Sequence, residues 1–139
     1  MGATQPIDRA GPSLGGRVKR VVAIDEDAAA LRHLTELLEA EGYDVSSAPG
    51  AVDGMRAMGP SGPDLVFVEL YMEGVDGLEF LDRVRESHPG VPVVVLSSPS
   101  RPAFNEMAAV AVHLGARAVL SKPVSPDELR TVMAGILPT

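Results

Sequence analysis

Pro63-Asp64-Leu65-Val66-Phe67-Val68-Glu69 is the stretch on which the fold turns. Its four consecutive apolar residues, closed by an acid, read as a strand covered on both faces. Val18–Ile24 and Val91–Leu96 have the same character. Strands buried on both faces belong to a parallel sheet with helices packed above and below it. Weaker strands are read at Tyr43–Ser47 and Ala118–Leu120.

Between the strands the period becomes helical. Asp27–Ala40 carries Leu31, Leu34 and Leu38 on one face, with Asp27 placed to cap its start and Gly42 beyond its end. Ala51–Met58, Gly77–Ser87, Ala103–Leu114 and Pro126–Ile136 read as further helices. Leu78, Leu81 and Val84 face inward on the third, which His88-Pro89-Gly90 ends. Gly115 stops the fourth, and Ser125 caps the fifth with Glu128 at capping-box spacing. Met55, Met58, Met107 and Met133 read as packing residues. Parallel crossovers are right-handed, so these β-α units predict an α/β doubly wound five-stranded parallel sheet with helices on both faces. Residues 1–17, rich in Gly, Pro and Ser and without periodicity, read as a flexible N-terminal arm with no role of its own. Residues 18–139 read as one domain.

Composition narrows the function. The 139 residues fit a single domain, and 45% hydrophobic content supports a core that must be aliphatic, since only 4% is aromatic. The lack of cysteine excludes disulfides and thiolate metal sites and is compatible with a cytoplasmic location. A net charge of −7 argues against direct nucleic-acid binding. No apolar run reaches the roughly 18 residues of a membrane span, and no export signal is visible.

Ligand sites on such sheets lie beyond the carboxyl ends of the strands. There the chain places Asp25 and Glu26, then Glu69, then Ser97 and Ser98, and finally Ser121, Lys122 and Pro123. Clustered carboxylates repel one another unless a cation intervenes. Oxygen ligands with open positions suit Mg²⁺, above all when a phosphate completes the shell. Lys122, one of two lysines with Lys19, offers a compact charge for a phosphoryl oxygen, and Ser97 offers a hydrogen bond to the same group.

These residues resemble the response-regulator receiver domain of two-component signalling. The likeness is carried by Asp25-Glu26-Asp27, Asp64-Leu65-Val66-Phe67-Val68-Glu69, Met72-Glu73-Gly74-Val75-Asp76-Gly77-Leu78 and Leu120-Ser121-Lys122-Pro123, and it runs from about Val18 to Leu137. It implies a flavodoxin-like strand order of 2-1-3-4-5. It also implies that Asp25 and Glu26 hold Mg²⁺ together with Glu69 and the backbone carbonyl of Tyr71. Glu69 then stands at the phosphoacceptor position, Ser97 and Lys122 contact the phosphoryl group, and the Lys122-Pro123 bond is cis.

The chain departs from the family pattern in ways that bear on chemistry. The acceptor is ordinarily an aspartate. One more C–C bond moves a carboxylate by up to ~1.5 Å, and an error of about 1 Å can cost on the order of 10²-fold in an aligned reaction. The longer Glu69 side chain can instead set its oxygens near Ser97 or Lys122, holding part of the activated arrangement permanently; an inert site is the alternative. Val119 stands where the family usually has an aromatic, Ser98–Ala103 is longer than the usual passage, Glu26 replaces an aspartate, and Glu73 replaces a proline.

The leading expectation is an atypical receiver: a protein-interaction module in phosphorelay signalling, not an enzyme, working without aspartyl phosphorylation. It either stands alone or is a receiver excised from a longer protein. The alternatives are an ordinary Mg²⁺-dependent phosphoacceptor, with Glu69 or a nearby serine accepting, and a flavodoxin-like enzyme or flavin binder. The expected partner is a histidine kinase or another signalling protein, with a homodimer left open and no membrane contact. No Gly-x-Ser-x-Gly elbow or Gly-x-Gly-x-x-Gly loop supports a hydrolase or a dinucleotide site. His33, His88 and His113 are scattered and lack ligand spacing.

Overall fold

Successive side chains of a strand point to opposite faces, and on the three central strands both faces are buried. The computed structural model describes residues 17–138, so the reading of residues 1–16 as an arm lies outside the described residues. The elements are β1 (Arg20–Ile24), α1 (Ala28–Ala40), β2 (Asp44–Ala48), α2 (Ala51–Met58), β3 (Leu65–Glu69), α3 (Gly77–Ser87), β4 (Val93–Ser97), α4 (Phe104–His113), β5 (Ala118–Ser121) and α5 (Pro126–Ile136). All strand pairs are parallel and the order is β2-β1-β3-β4-β5, the expected doubly wound sheet.

The pleat sorts the core into two layers. Val21, Ala23, Leu65, Phe67, Val94 and Leu96 pack against Leu34 and Leu38 of α1 and Leu129 and Met133 of α5. Val22, Ile24, Val66, Val68, Val93 and Val95 pack against Met58 of α2, Phe80, Leu81 and Val84 of α3 and Ala111 of α4. Every residue of β3 and β4 is buried. Burying one such side chain is worth about 1.5–3 kcal/mol, so these two strands anchor the carboxyl-end crevice.

Boundaries shift where backbone chemistry dictates. β4 begins at Val93 rather than Val91. Val91 donates its N–H to the His88 carbonyl, and Pro92 has no N–H to give. Asp27 lies just outside α1, its side chain accepting from Ala29 and Ala30 N–H as an N-cap. Ser125 accepts from Glu128 N–H at 3.0 Å at the start of α5. Gly42 and Gly115 follow their helices with φ of +94° and +111°, a region that favours glycine. Leu81 and Val84 face inward as expected, but Phe80 is also fully buried and was not among the expected core residues.

Candidate functional site

The carboxyl ends of β1, β3 and β5 bring Asp25, Glu69 and Lys122 together. The Lys122 ammonium donates to Asp25 Oδ2 at 2.8 Å and forms an ion pair with Glu69 Oε1. Asp25 and Glu69 are 2% and 5% exposed, and the Lys122 side chain is 13% exposed, so water screens this triad little. Burial pulls the Lys122 ammonium toward losing its proton. Asp25 and Glu69 overcome that pull, and its pKa ends above the ordinary 10.5.

Each acid also uses its second oxygen. Asp25 Oδ1 accepts from Asp27 N–H at 2.9 Å, and Glu69 Oε2 accepts from Tyr71 N–H at 3.0 Å. The carboxylates are thus held from two sides, by an ammonium and by backbone donors, which compensates their burial. Two further features keep the end of β3 in place. Leu70 N–H donates to Leu96 O, and Gly77 N–H donates to Leu70 O, both at 2.8 Å. A Cβ at position 77 would stand 2.5 Å from the Glu69 carbonyl oxygen and 2.7 Å from Leu70 Cα. Only glycine lets α3 start this close to the acid-bearing strand, a requirement that a helix-start reading of Gly77 does not disclose.

The remaining expected site residues lie nearby without joining the triad. Ser97 is fully buried at the end of β4, yet its Oγ has no hydrogen-bond partner. Glu26 is exposed, and its Oε2 accepts from Glu73 N–H at 3.0 Å. The Lys122-Pro123 bond is cis, as the resemblance implies. Val119 is only partly buried and packs against the α2–α3–α4 layer. A cleft of about 340 Å³ opens beside Lys122, between α1 and the β5–α5 connection, and includes Ala30, His33, Ser98 and Val124 in its walls. His33 is tied across it, its Nε2 lying 3.0 Å from the Val124 carbonyl oxygen.

Mg²⁺ can be tested against this donor set. Its oxygen ligands must converge on one point at about 2.0–2.1 Å. Among the described residues no three acidic or imidazole side chains gather closely enough to hold a metal ion. Lys122 spans Asp25 and Glu69, and Glu26 is turned to the Glu73 amide. Mg²⁺ held by one or two carboxylates and water fits this site only when Lys122 gives way between Asp25 and Glu69. In this arrangement one ammonium offsets one of the two buried negative charges.

Sequence reasoning missed the Tyr71 side chain. Its hydroxyl donates to the Pro102 carbonyl at 2.7 Å, and the Arg101 guanidinium lies 4.4 Å from its ring centroid. The available signal was a tyrosine, one of two in the chain, just past the β3 acid.

Fold and crevice together define a class: a doubly wound, flavodoxin-like α/β domain with an acid–lysine cluster at the carboxyl edge of its sheet. The chain belongs to the response regulator receiver domain family, whose description matches residues 21–134. It is 36% identical over 119 residues to a protein-glutamate methylesterase/protein-glutamine glutaminase of Cereibacter sphaeroides, covering 84% of this chain and 32% of that one. It is 30% identical over 121 residues to the nitrogen assimilation regulatory protein NtrX of Azorhizobium caulinodans, covering 86% of this chain and 26% of that one. The chain therefore spans about a third or less of these relatives. The solved receiver domain of NtrX from Brucella abortus superposes with a TM-score of 0.78 at 29% identity, covering 86% of this chain and 98% of that domain. This is a receiver domain of the kind found in two-component response regulators, and among its described residues no helix is long and apolar enough to cross a membrane.

Proposed function

We propose that this receiver signals through protein–protein contacts without aspartyl phosphorylation, with Glu69 as a built-in negative charge in place of a phosphorylated aspartate. One observation carries the reading: the Glu69 carboxylate already engages Lys122, the cation expected to meet an incoming phosphoryl group. The lysine half of the activated arrangement is thereby held permanently, while Ser97 stays unengaged. Lys122 offsets one of the two charges of Asp25 and Glu69, which lessens the site's need of Mg²⁺. The functional unit is the domain over residues 18–139, it acts as a binding module rather than an enzyme, and its partner is a histidine kinase or another signalling protein.

A second reading, an ordinary phosphoacceptor, is favoured by Ser97. A buried hydroxyl without a partner costs about 1–3 kcal/mol, and an added phosphoryl oxygen would relieve that. The two readings separate on intact mass after incubation with acetyl phosphate and Mg²⁺. The expected result is no phosphate on the wild type and one on Glu69→Asp, whose shorter carboxylate restores the usual reach. A stoichiometric phosphate mapped to Glu69 in the wild type overturns the proposal.

A further inference from the structure

We infer that Tyr71 is the positioning residue that reports the Glu69 carboxylate to α4. The inference rests on the reading of Glu69 as the controlling charge. One residue touches both ends of the path. Its backbone N–H donates to Glu69 Oε2 at 3.0 Å, and its phenol donates to Pro102 O at 2.7 Å. The Arg101 guanidinium covers the ring at 4.4 Å and adds a cation–π attraction. The strapped segment leads straight into α4. Ala103 is the N-cap of that helix, has no side-chain cap bond, and is the one non-glycine residue of positive φ among those described, at 55°. Such a backbone persists only when its surroundings hold it. Its carbonyl accepts from Met107 N–H at 2.8 Å, closing the first turn of α4.

Little else fastens this connection. Ser98–Ala103 has one internal turn bond, Arg101 N–H to Ser98 O at 3.0 Å, and residues 99–103 are exposed. Pro99 and Pro102 offer no N–H. The strap is thus the contact through which a change at the end of β3 reaches the start of α4. Val119, at the β5 position where an aromatic is usual, carries no ring to do this. The length of the connection after β4 has a use on this account: it brings Pro102 and Arg101 over a residue that follows the acid.

Hydrogen–deuterium exchange of the intact chain over residues 98–107 tests the coupling, with far-UV circular dichroism to confirm folding. Tyr71→Phe keeps the ring and removes the phenol bond. A net hydrogen bond of about 1 kcal/mol corresponds to roughly five-fold faster exchange of that segment. Glu69→Ala removes the other end and is expected to quicken the same segment. In the Tyr71→Phe background it adds nothing further. Glu69→Leu, which keeps the bulk, replaces Glu69→Ala should that variant not fold. Exchange at the wild-type rate in Tyr71→Phe overturns the strap. Wild-type exchange in Glu69→Ala, or two effects that simply multiply in the double variant, overturns the coupling. Phosphate appearing on wild-type Glu69 would fail the proposed function, yet leave these exchange results to decide the relay on their own.

Discussion

One strand carries an acid at each end, and the two acids live differently. Asp64 precedes β3 at the amino edge of the sheet. It pairs with Arg17, at 2.6 and 2.9 Å, and accepts from Arg20 N–H at 2.7 Å. Its partner side chain is 66% exposed. Glu69 closes the same strand at the carboxyl edge, where its ammonium partner is 13% exposed and shared with Asp25. An exposed ion pair contributes about 0–1 kcal/mol, because water and salt screen it. A buried one is no cheaper to form than an apolar contact, but removing one partner leaves a stranded charge that costs about 3–5 kcal/mol. The amino-edge pair ties Arg17 to the start of β3. The carboxyl-edge triad is a point where a single charge decides the balance.

Lys122→Met therefore has the largest expected effect. It leaves Asp25 and Glu69 buried together without a cation, and a loss of about 3 kcal/mol follows. For a domain of this size that lowers the melting temperature by roughly 10 °C. A melting temperature unchanged at pH 7 would mean the triad is as weakly coupled as the amino-edge pair. The lysine gives a pH signature as well. Its pKa is raised in the folded chain, by Asp25 and Glu69 acting against burial. The associated stability is complete below about pH 10.5, the unfolded value, and is lost as pH rises through the folded pKa. Glu69→Gln removes one of the charges that raise it, so alkaline unfolding should begin at lower pH in that variant. Denaturant midpoints measured from pH 8 to 11 check this.

Gly77→Ala comes next. The added methyl would press on the Glu69 carbonyl and on Leu70 Cα, both backbone, which cannot rotate away. Overpacking of this kind costs about 1–3 kcal/mol. Because the clash is with the acid-bearing residue, the exchange protection of the Tyr71 amide should fall along with stability. Lost stability with an unperturbed Tyr71 amide would place the strain in α3 rather than in the site.

The fold was legible because β1, β3 and β4 are apolar on consecutive residues, and few architectures bury a strand twice. That Asp25, Glu69 and Lys122 would meet at one edge was also legible, since the carboxyl ends of parallel strands share an edge. Their pairing was not. Lys122 is 53 positions from Glu69, and nothing local says whether its ammonium meets Glu69, Asp25 or both, or that Glu26 turns to a loop amide. Ser97 could equally have been the partner of Glu69. The roles of Gly77 and of the Tyr71 side chain escaped for a related reason: each depends on how closely two elements approach in space. The close packing of α3 on β3 and the reach of a phenol to the Pro102 carbonyl are properties of packing, not of any residue pattern.

The smallest effect is expected at the amino edge, and it makes the comparison quantitative. Arg17→Ala removes an exposed guanidinium and should leave the denaturant midpoint at pH 7 unchanged within error. Asp64→Ala removes more, because it also strands the Arg20 N–H, and should cost about 1 kcal/mol. Their pH dependence runs opposite to that of Lys122. The Arg17 hydrogen bond, opposed by partial burial and aided by the Arg20 N–H, holds the Asp64 carboxyl below its usual range. That stabilisation is present above the unfolded pKa of about 3.9 and disappears as pH falls through the folded value. Arg17→Ala should therefore lose less of its stability on acidification than the wild type does, while the alkaline limb stays where it was. If Arg17→Ala moved the alkaline limb as Glu69→Gln does, the two ends of β3 would be coupled through the strand rather than independent.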